Sequence, residues 1–379
     1  MQESTFIRLF DGPNSKTLAQ FILSARVKPE NNHIISLKEY AEKQNISRSD
    51  IQLLYDHIIN RNEYLHRFYK KSLQPVEPTD FKDSPMPIAN INNDRASQYK
   101  NRIRNIHCFD ILQKTKSVYS HNPSFLDVLI DLYKKELIEY RILTPSALHY
   151  LREGRIGSVF SSFYFRASIM NPFVPFSLEK RLLKGSRIFS PTLGWSSYAY
   201  GFLECAEVEE YVATDVIPQV CEKTARFCKD FYPTKKTQIF CKPSEDLAKS
   251  KPFMTKYKEH FDVVFFSPPY YEFEIYPGEE QSIKRYKSYE EWLEKYWKAT
   301  IGLCYHILQK GGRMCYILSS YDGCYRSSST CTPHDLLKDM NGITKERFTY
   351  KRTIPMYNKN VHVTSHRETG EKIVLFIKE

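Results

Sequence analysis

No two of the nine cysteines form a C-x-x-C pair, which argues against a zinc ribbon. All nine fall between Cys108 and Cys331. Their odd number, with no secretory signal at the amino end, favours reduced thiols in a soluble protein of the cytoplasm or nucleus. No uninterrupted apolar run approaches the ~18 residues of a membrane span, so no membrane partner is expected. No internal repeat is visible, which excludes a solenoid. His362 and His366 stand four apart but lack a helix and a third ligand, so no metal is expected.

Charge and aromatic content are plentiful. The formal net charge is +11, from 55 Lys and Arg against 44 Asp and Glu. A basic balance suits a polyanionic partner without requiring one. The excess is uneven: Arg152, Arg155, Arg166, Lys180, Arg181, Lys184 and Arg187 crowd residues 151–190 against Glu153 and Glu179. Aromatics reach 14%, mostly Tyr and Phe, and Tyr-rich basic surfaces stack on bases.

Two regions follow from the pattern. Residues 1–150 read as a mostly helical domain, broken over 72–101 by a proline-punctuated linker or long surface loop (Pro75, Pro78, Pro85, Pro87). Helical spacing returns over 123–150 (Phe125, Val128, Leu129, Leu132, Leu137), with Asn122 as cap and Pro123 in the first turn. From residue 151 onward a second domain is expected. Within it short apolar runs alternate with helical segments: Ile188-Phe189, Tyr211–Thr214, Gln238–Cys241, Phe261–Phe266, Met314–Leu318 and Lys372–Ile377. Residues 216–230 and 288–309 read as helices, the second ended by Gly311-Gly312. This alternation implies α/β architecture, a mainly parallel sheet with helices on both faces.

In such sheets, ligands bind beyond the carboxyl ends of the strands. Four successive strand ends here carry Ser190-Pro191-Thr192-Leu193-Gly194-Trp195-Ser196, then Asp215, then Ser244-Glu245-Asp246, then Ser267-Pro268-Pro269-Tyr270. A polar-Pro-Pro-aromatic tetrad can hold a flat amino-bearing base by edge and face. The order resembles the S-adenosylmethionine-dependent amino-methyltransferases of DNA over roughly residues 160–379. The resemblance implies a Rossmann-like class I methyltransferase fold, a seven-stranded sheet with its last strand antiparallel, and S-adenosylmethionine as cofactor.

It also implies roles. Pro191, Gly194 and Trp195 would form the cofactor turn, Gly194 allowing close backbone approach. Asp215 would bind the ribose hydroxyls, and Glu245 or Asp246 would lie near adenine. Asn171 and Arg166 would serve the methionine end. Ser267 and the Pro268 carbonyl would accept from the target amine, with Pro269 completing the clamp, while Tyr270 stacks on an extruded base. Positioning would do most of the work. Two positions depart from the family pattern: Ser190 stands where an acidic residue is usual, and Ser196 where a second glycine is usual. Serine at the head of the tetrad favours cytosine N4 over adenine N6 within that family. DNA is the expected partner, with an RNA base or a non-catalytic binding role as alternatives. Related viral and phage-type enzymes carry a Trp after the glycine, which points to a viral source.

Residues 37–54 resemble a helix-turn-helix: Ala41 at the crossing, Asn45 in a left-handed turn, Ile46 as plug, Ser47 and Asp50 opening the second helix. Arg48, Ser49 and Gln52 would then face nucleic acid. Tyr271 and Arg367 are further candidate contacts. The Tyr-rich segment 271–289 is either a lid over the base or a solvated loop.

Overall fold

The structure is a computed structural model that describes residues 1–12, 15–117, 123–164, 167–271, 274–276, 278–319, 334–359 and 366–379. It divides into two compact units, 1–75 with 108–167, and 76–107 with 168–379. A single cut at residue 150 therefore does not describe it. The boundary falls inside helix Ser97–Lys114.

The first unit is helical around a small sheet in which Arg26–Lys28 pairs antiparallel with Ile35–Ser36 and parallel with Leu137–Glu139. Phe6, Phe21, Leu54, Leu132, Tyr133 and Phe160 lie in its core. Helix Leu37–Gln44 ends at Asn45, whose φ of 52° is left-handed. Ser47 caps helix Arg48–Ile59, accepting from the Asp50 amide and donating to the Asp50 carboxylate. That carboxylate also takes two bonds of 2.8 Å from Arg152. The helix expected over 123–150 runs only from Phe125 to Lys135, because left-handed Glu136 ends it and Leu137 enters the sheet. Its cap is Ser124, in a reciprocal box with Asp127; Asn122 lies outside the described residues.

Among the described residues the second unit holds a sheet of eight strands: β1 (Ile91–Asn92), β2 (Arg187–Ser190), β3 (Glu210–Asp215), β4 (Lys236–Cys241), β5 (Phe261–Phe266), β6 (Leu308–Ser319), β7 (Thr349–Lys359) and β8 (His366–Ile377). Their order is β1-β7-β8-β6-β5-β2-β3-β4. Only β8 runs against the rest, inserted between β6 and β7. This is the Rossmann-like α/β arrangement expected, with one strand more. The near-continuous apolar faces of β5 and β6 reflect burial from both sides.

The additional strand comes from the segment read as a linker. Ile91 and Asn92 pair with Met356 and Tyr357. The preceding stretch is strapped down: the Tyr200 hydroxyl donates to the Thr79 carbonyl (2.7 Å), and the Phe81 amide donates to Glu204 (2.7 Å). Its prolines break helical periodicity while leaving an extended chain free to bond sideways. Gly311-Gly312 also falls elsewhere than expected. The helix ends at Ile307, and both glycines sit within β6, where the pairing with β5 shifts register between Leu308 and Arg313.

Candidate cofactor and base site

The carboxyl ends of β2 to β5 surround one solvent-open cavity with 1270 Å³ of empty space. Thr192, Gly194 and Trp195 from the β2 turn, Asp215 from β3, Ser244 and Glu245 from β4, and all four tetrad residues after β5 line it.

The β2 turn is left-handed at three consecutive residues: φ is 51° at Gly194, 56° at Trp195 and 65° at Ser196. A Cβ at Gly194 would come within 2.2 Å of the Tyr198 ring. The glycine therefore makes room for Tyr198. Tyr198 in turn accepts from the Ser267 amide (3.2 Å), and Thr192 Oγ1 donates to the Ser267 carbonyl (3.1 Å). These two bonds fix the head of the tetrad to the glycine turn.

Asp215 is bound to the same turn. Its Oδ2 accepts from the Leu193 amide (3.1 Å), and its Oδ1 from the amides of Val216 (2.8 Å) and Ile217 (3.1 Å). Burial raises its pKa, and the three amides pull it back down. A carboxylate offers about four acceptor positions, so about one remains for a ligand hydroxyl.

At the end of β4 the acidic pair divides. Glu245 lines the cavity and Asp246 does not. Both are engaged by Arg285, at 3.2 Å from Glu245 and 2.9 Å from Asp246. Tyr286 donates to Glu245 (3.1 Å), and Trp292 Nε1 donates to Ser282 (2.9 Å). Residues 282, 285 and 286 of that segment are thus bonded to their surroundings, and Asp246 takes part in that anchor. Burial raises the pKa of Glu245, while Arg285 and Tyr286 act against the rise.

In the tetrad, Ser267 Oγ and the Tyr270 hydroxyl lie 3.2 Å apart. The Ser267 amide and carbonyl are already used and proline has no N–H, so the tetrad's further acceptors include Ser267 Oγ and the proline carbonyls. Glu371 on β8, opposite Ser319, also lines this end. Burial raises its pKa, and Lys100 and a bond from Tyr270 oppose the rise.

Other expected positions fall outside the cavity. Asn171 is fully buried and structural: its amide donates to Asn93 Oδ1 (2.7 Å), its Nδ2 to the Arg95 carbonyl (2.6 Å), and its Oδ1 accepts from the Phe173 amide (3.0 Å). Its neighbours Ser168 and Met170, with Asn93, line the cavity instead. Tyr271 packs edge-on against Tyr289 and Trp292, with ring centres 5.3 and 5.5 Å away. Arg166 and the side chain of Arg367 lie outside what the structure describes; the Arg367 backbone pairs with Asn358 in β7. Arg48 and Ser49 are exposed on the first unit, and Gln52 there donates to Asp56 (2.7 Å). Among the described residues no cluster of three or more His, Cys, Asp or Glu could hold a metal, and no helix is long and apolar enough to cross a membrane. Asn93, Met356 and Glu371 are cavity residues that sequence pattern did not reveal, while Tyr276 belongs to the Tyr-rich segment and lines the cavity.

No protein-family model and no curated protein matches the chain. Solved structures do. They include the N-methyltransferase NodS from Bradyrhizobium japonicum, at 12% identity over 54% of this chain and 90% of that one, TM-score 0.32. TrmN from Thermus thermophilus is 13% identical over 55% and 49%, TM-score 0.34. A fibrillarin pre-rRNA processing protein from Methanococcus jannaschii is 11% identical over 51% and 66%, TM-score 0.33. These likenesses concern fold alone. The strand order, mostly parallel with a single reversed strand, makes the second unit an α/β, Rossmann-like fold.

Proposed function

We propose that this chain is an S-adenosylmethionine-dependent methyltransferase acting on the exocyclic amino group of a nucleic-acid base. One observation carries the proposal: the Ser267–Tyr270 tetrad, the left-handed turn and Asp215 line a single cavity and are hydrogen-bonded to one another. The residues present fit the cofactor. The free acceptor position of Asp215 suits a ribose hydroxyl, the apolar Val216 and Ile217 beside it suit an adenine face, and Ser168, Met170 and Asn93 also line the cavity. Bound there, the cofactor supplies an electrophilic methyl on a sulfonium.

The chain's own residues would then position the amine. The two prolines present carbonyl acceptors and no backbone donor, which matches an amino group carrying two N–H donors. Accepting both from Ser267 Oγ and the Pro268 carbonyl holds the nitrogen lone pair out of that plane and toward the donor. Tyr270 offers a ring face to the base, its hydroxyl steadied by Ser267 and Glu371. Such positioning is a large share of catalysis when the leaving group is already activated.

DNA is the favoured substrate, and cytosine N4 the favoured atom, from serine at the head of the tetrad. Arg48, Ser49, Gln52, Tyr271 and Arg367 are proposed nucleic-acid contacts, with the two-helix element 37–54 as a DNA-reading device. A second reading, a non-catalytic binding subunit, is motivated by Ser190 and Ser196. The experiment is incubation with labelled S-adenosylmethionine and unmethylated DNA or RNA, followed by nucleoside mass spectrometry. N4-methylcytosine or N6-methyladenine in DNA supports the proposal, and label only in RNA moves the substrate. No label and no cofactor binding overturns it. Tyr270→Ala should abolish turnover while leaving cofactor affinity within about threefold; equal activity would remove the base-clamp role.

A further inference from the structure

Ser196 holds a backbone conformation, φ 65°, that L-residues adopt rarely and that glycine adopts freely. It follows Trp195, which is left-handed too. Something outside the turn must hold it there. Ser196 Oγ lies 2.7 Å from His107 Nε2 and 2.6 Å from Thr224 Oγ1, and Thr224 Oγ1 lies 2.7 Å from the Val220 carbonyl.

The proton directions are fixed by that carbonyl. It can only accept, so the single hydroxyl proton of Thr224 goes to it. Thr224 must then accept from Ser196, and Ser196 must accept from His107. His107 is therefore the neutral tautomer protonated on Nε2. Its complete burial agrees, holding the ring's pKa down at about 3. Its Nδ1 is buried without a partner, so no bond on that side competes for the ring's orientation. The ring also packs edge-on against Trp195, with centres 5.7 Å apart. A second tie joins the same helices, from Lys223 Nζ to the Ile106 carbonyl at 2.9 Å.

We infer that His107 is a positioning residue that stands in for the glycine missing from the cofactor turn: its Nε2–H and ring edge hold Ser196 and Trp195 in the left-handed shape that a ligand-binding turn needs. This rests on the proposed function only for what the turn binds. The latch itself is a statement about backbone conformation. It makes residues 97–107, which lie outside the strand-helix alternation that carries the fold, part of the proposed cofactor site.

The test is a rescue. His107→Ala should weaken binding of S-adenosylhomocysteine, measured by calorimetry, about 5- to 30-fold. Ser196→Gly alone should bind within about threefold of the wild type. The double variant should bind like Ser196→Gly, because a glycine no longer needs the latch. His107→Gln, which keeps an N–H donor on a similar reach, should recover most of the affinity and guards against an alanine variant that fails to fold. Amide hydrogen exchange over residues 191–200 reads the same latch without cofactor: faster in His107→Ala, restored in the double variant. Equal losses in His107→Ala and the double variant would reduce His107 to packing and overturn the inference, as would unchanged binding and exchange in His107→Ala. If the wild type binds no cofactor while exchange follows the expected order, the latch stands and the functional proposal falls.

Discussion

Asp215→Asn separates a shape-giving carboxylate from a merely charged one. In the wild type both oxygens accept from backbone amides, Oδ2 from Leu193 and Oδ1 from Val216 and Ile217. Asparagine has one oxygen. Turned toward Val216 and Ile217 it keeps two bonds and sets its own N–H against the Leu193 N–H. A buried donor left without a partner costs about 1–3 kcal/mol. At about 2–4 °C per kcal/mol for a domain of this size, the melting temperature should fall by about 2–12 °C. The lower half of that range is expected, because burial already raises the pKa of Asp215 and removing its charge relieves part of that penalty. Cofactor affinity should fall further than stability suggests. The single free acceptor position loses its charge, a hydrogen bond to a charged group is worth about 1.5–3 kcal/mol, and that is roughly 10- to 150-fold in Kd. Scanning fluorimetry and calorimetry with S-adenosylhomocysteine give both numbers. Unchanged affinity with a lowered melting temperature would leave Asp215 as a structural cap of the turn. Neither value moving would refute the hydrogen-bond assignment itself.

Two further outcomes follow from buried groups near the sheet. Gly194→Ala places a methyl 2.2 Å from the Tyr198 ring at φ 51°. A left-handed L-residue costs about 1–2 kcal/mol and overpacking about 1–3 kcal/mol, so a loss of about 2–5 kcal/mol in urea unfolding is expected; wild-type stability would show that Tyr198 can swing away. Glu179 is buried with Oε2 unpartnered, and burial lifts its pKa from 4.5 to about 8. Because the folded value is the higher one, its contribution to stability is complete below about 4.5 and is lost as pH rises toward about 8, by up to about 1.4 kcal/mol per pH unit. Glu179→Gln should flatten that fall between pH 5 and 9, and an unchanged slope would assign it to another group.

What was legible in the sequence was whatever depends on one strand and the turn that follows it. Asp215 and Ser267–Tyr270 each end a short apolar run, so strand polarity alone puts them at one end of a parallel sheet. Positions that depend on distant pairing were not legible. Ile91 and Asn92 form a strand only because β7 offers an edge more than two hundred residues later. Glu371 reaches the tetrad only because β8 is inserted in reverse, which sets it opposite Ser319. Adjacent acids pose another difficulty. Glu245 and Asp246 sit in the short helix Ser244–Leu247, where neighbouring residues point in different directions. Arg285, far along the chain, engages both, and only Glu245 lines the cavity. Asn171 was a reasonable candidate by position, yet its three hydrogen bonds are all spent on its surroundings.

The two departures from the family pattern have different physical weights. Ser190 is fully buried on β2, does not line the cavity, and lies beside the buried Tyr211 hydroxyl. An acid in that place would be a carboxylate in an apolar sheet, costly unless paired. Serine there removes that cost and takes no group away from the cavity. Ser196 is the more demanding change, since it puts a side chain on a left-handed residue at the proposed cofactor turn. Its hydroxyl is nevertheless placed between a histidine donor and a threonine acceptor, both on helices packed behind the turn. A turn that had merely lost its glycine would have no reason to keep a buried neutral histidine with an unpaired Nδ1, which itself costs free energy. The arrangement is that of a turn held in shape by other means, which favours a working cofactor site over a decayed one.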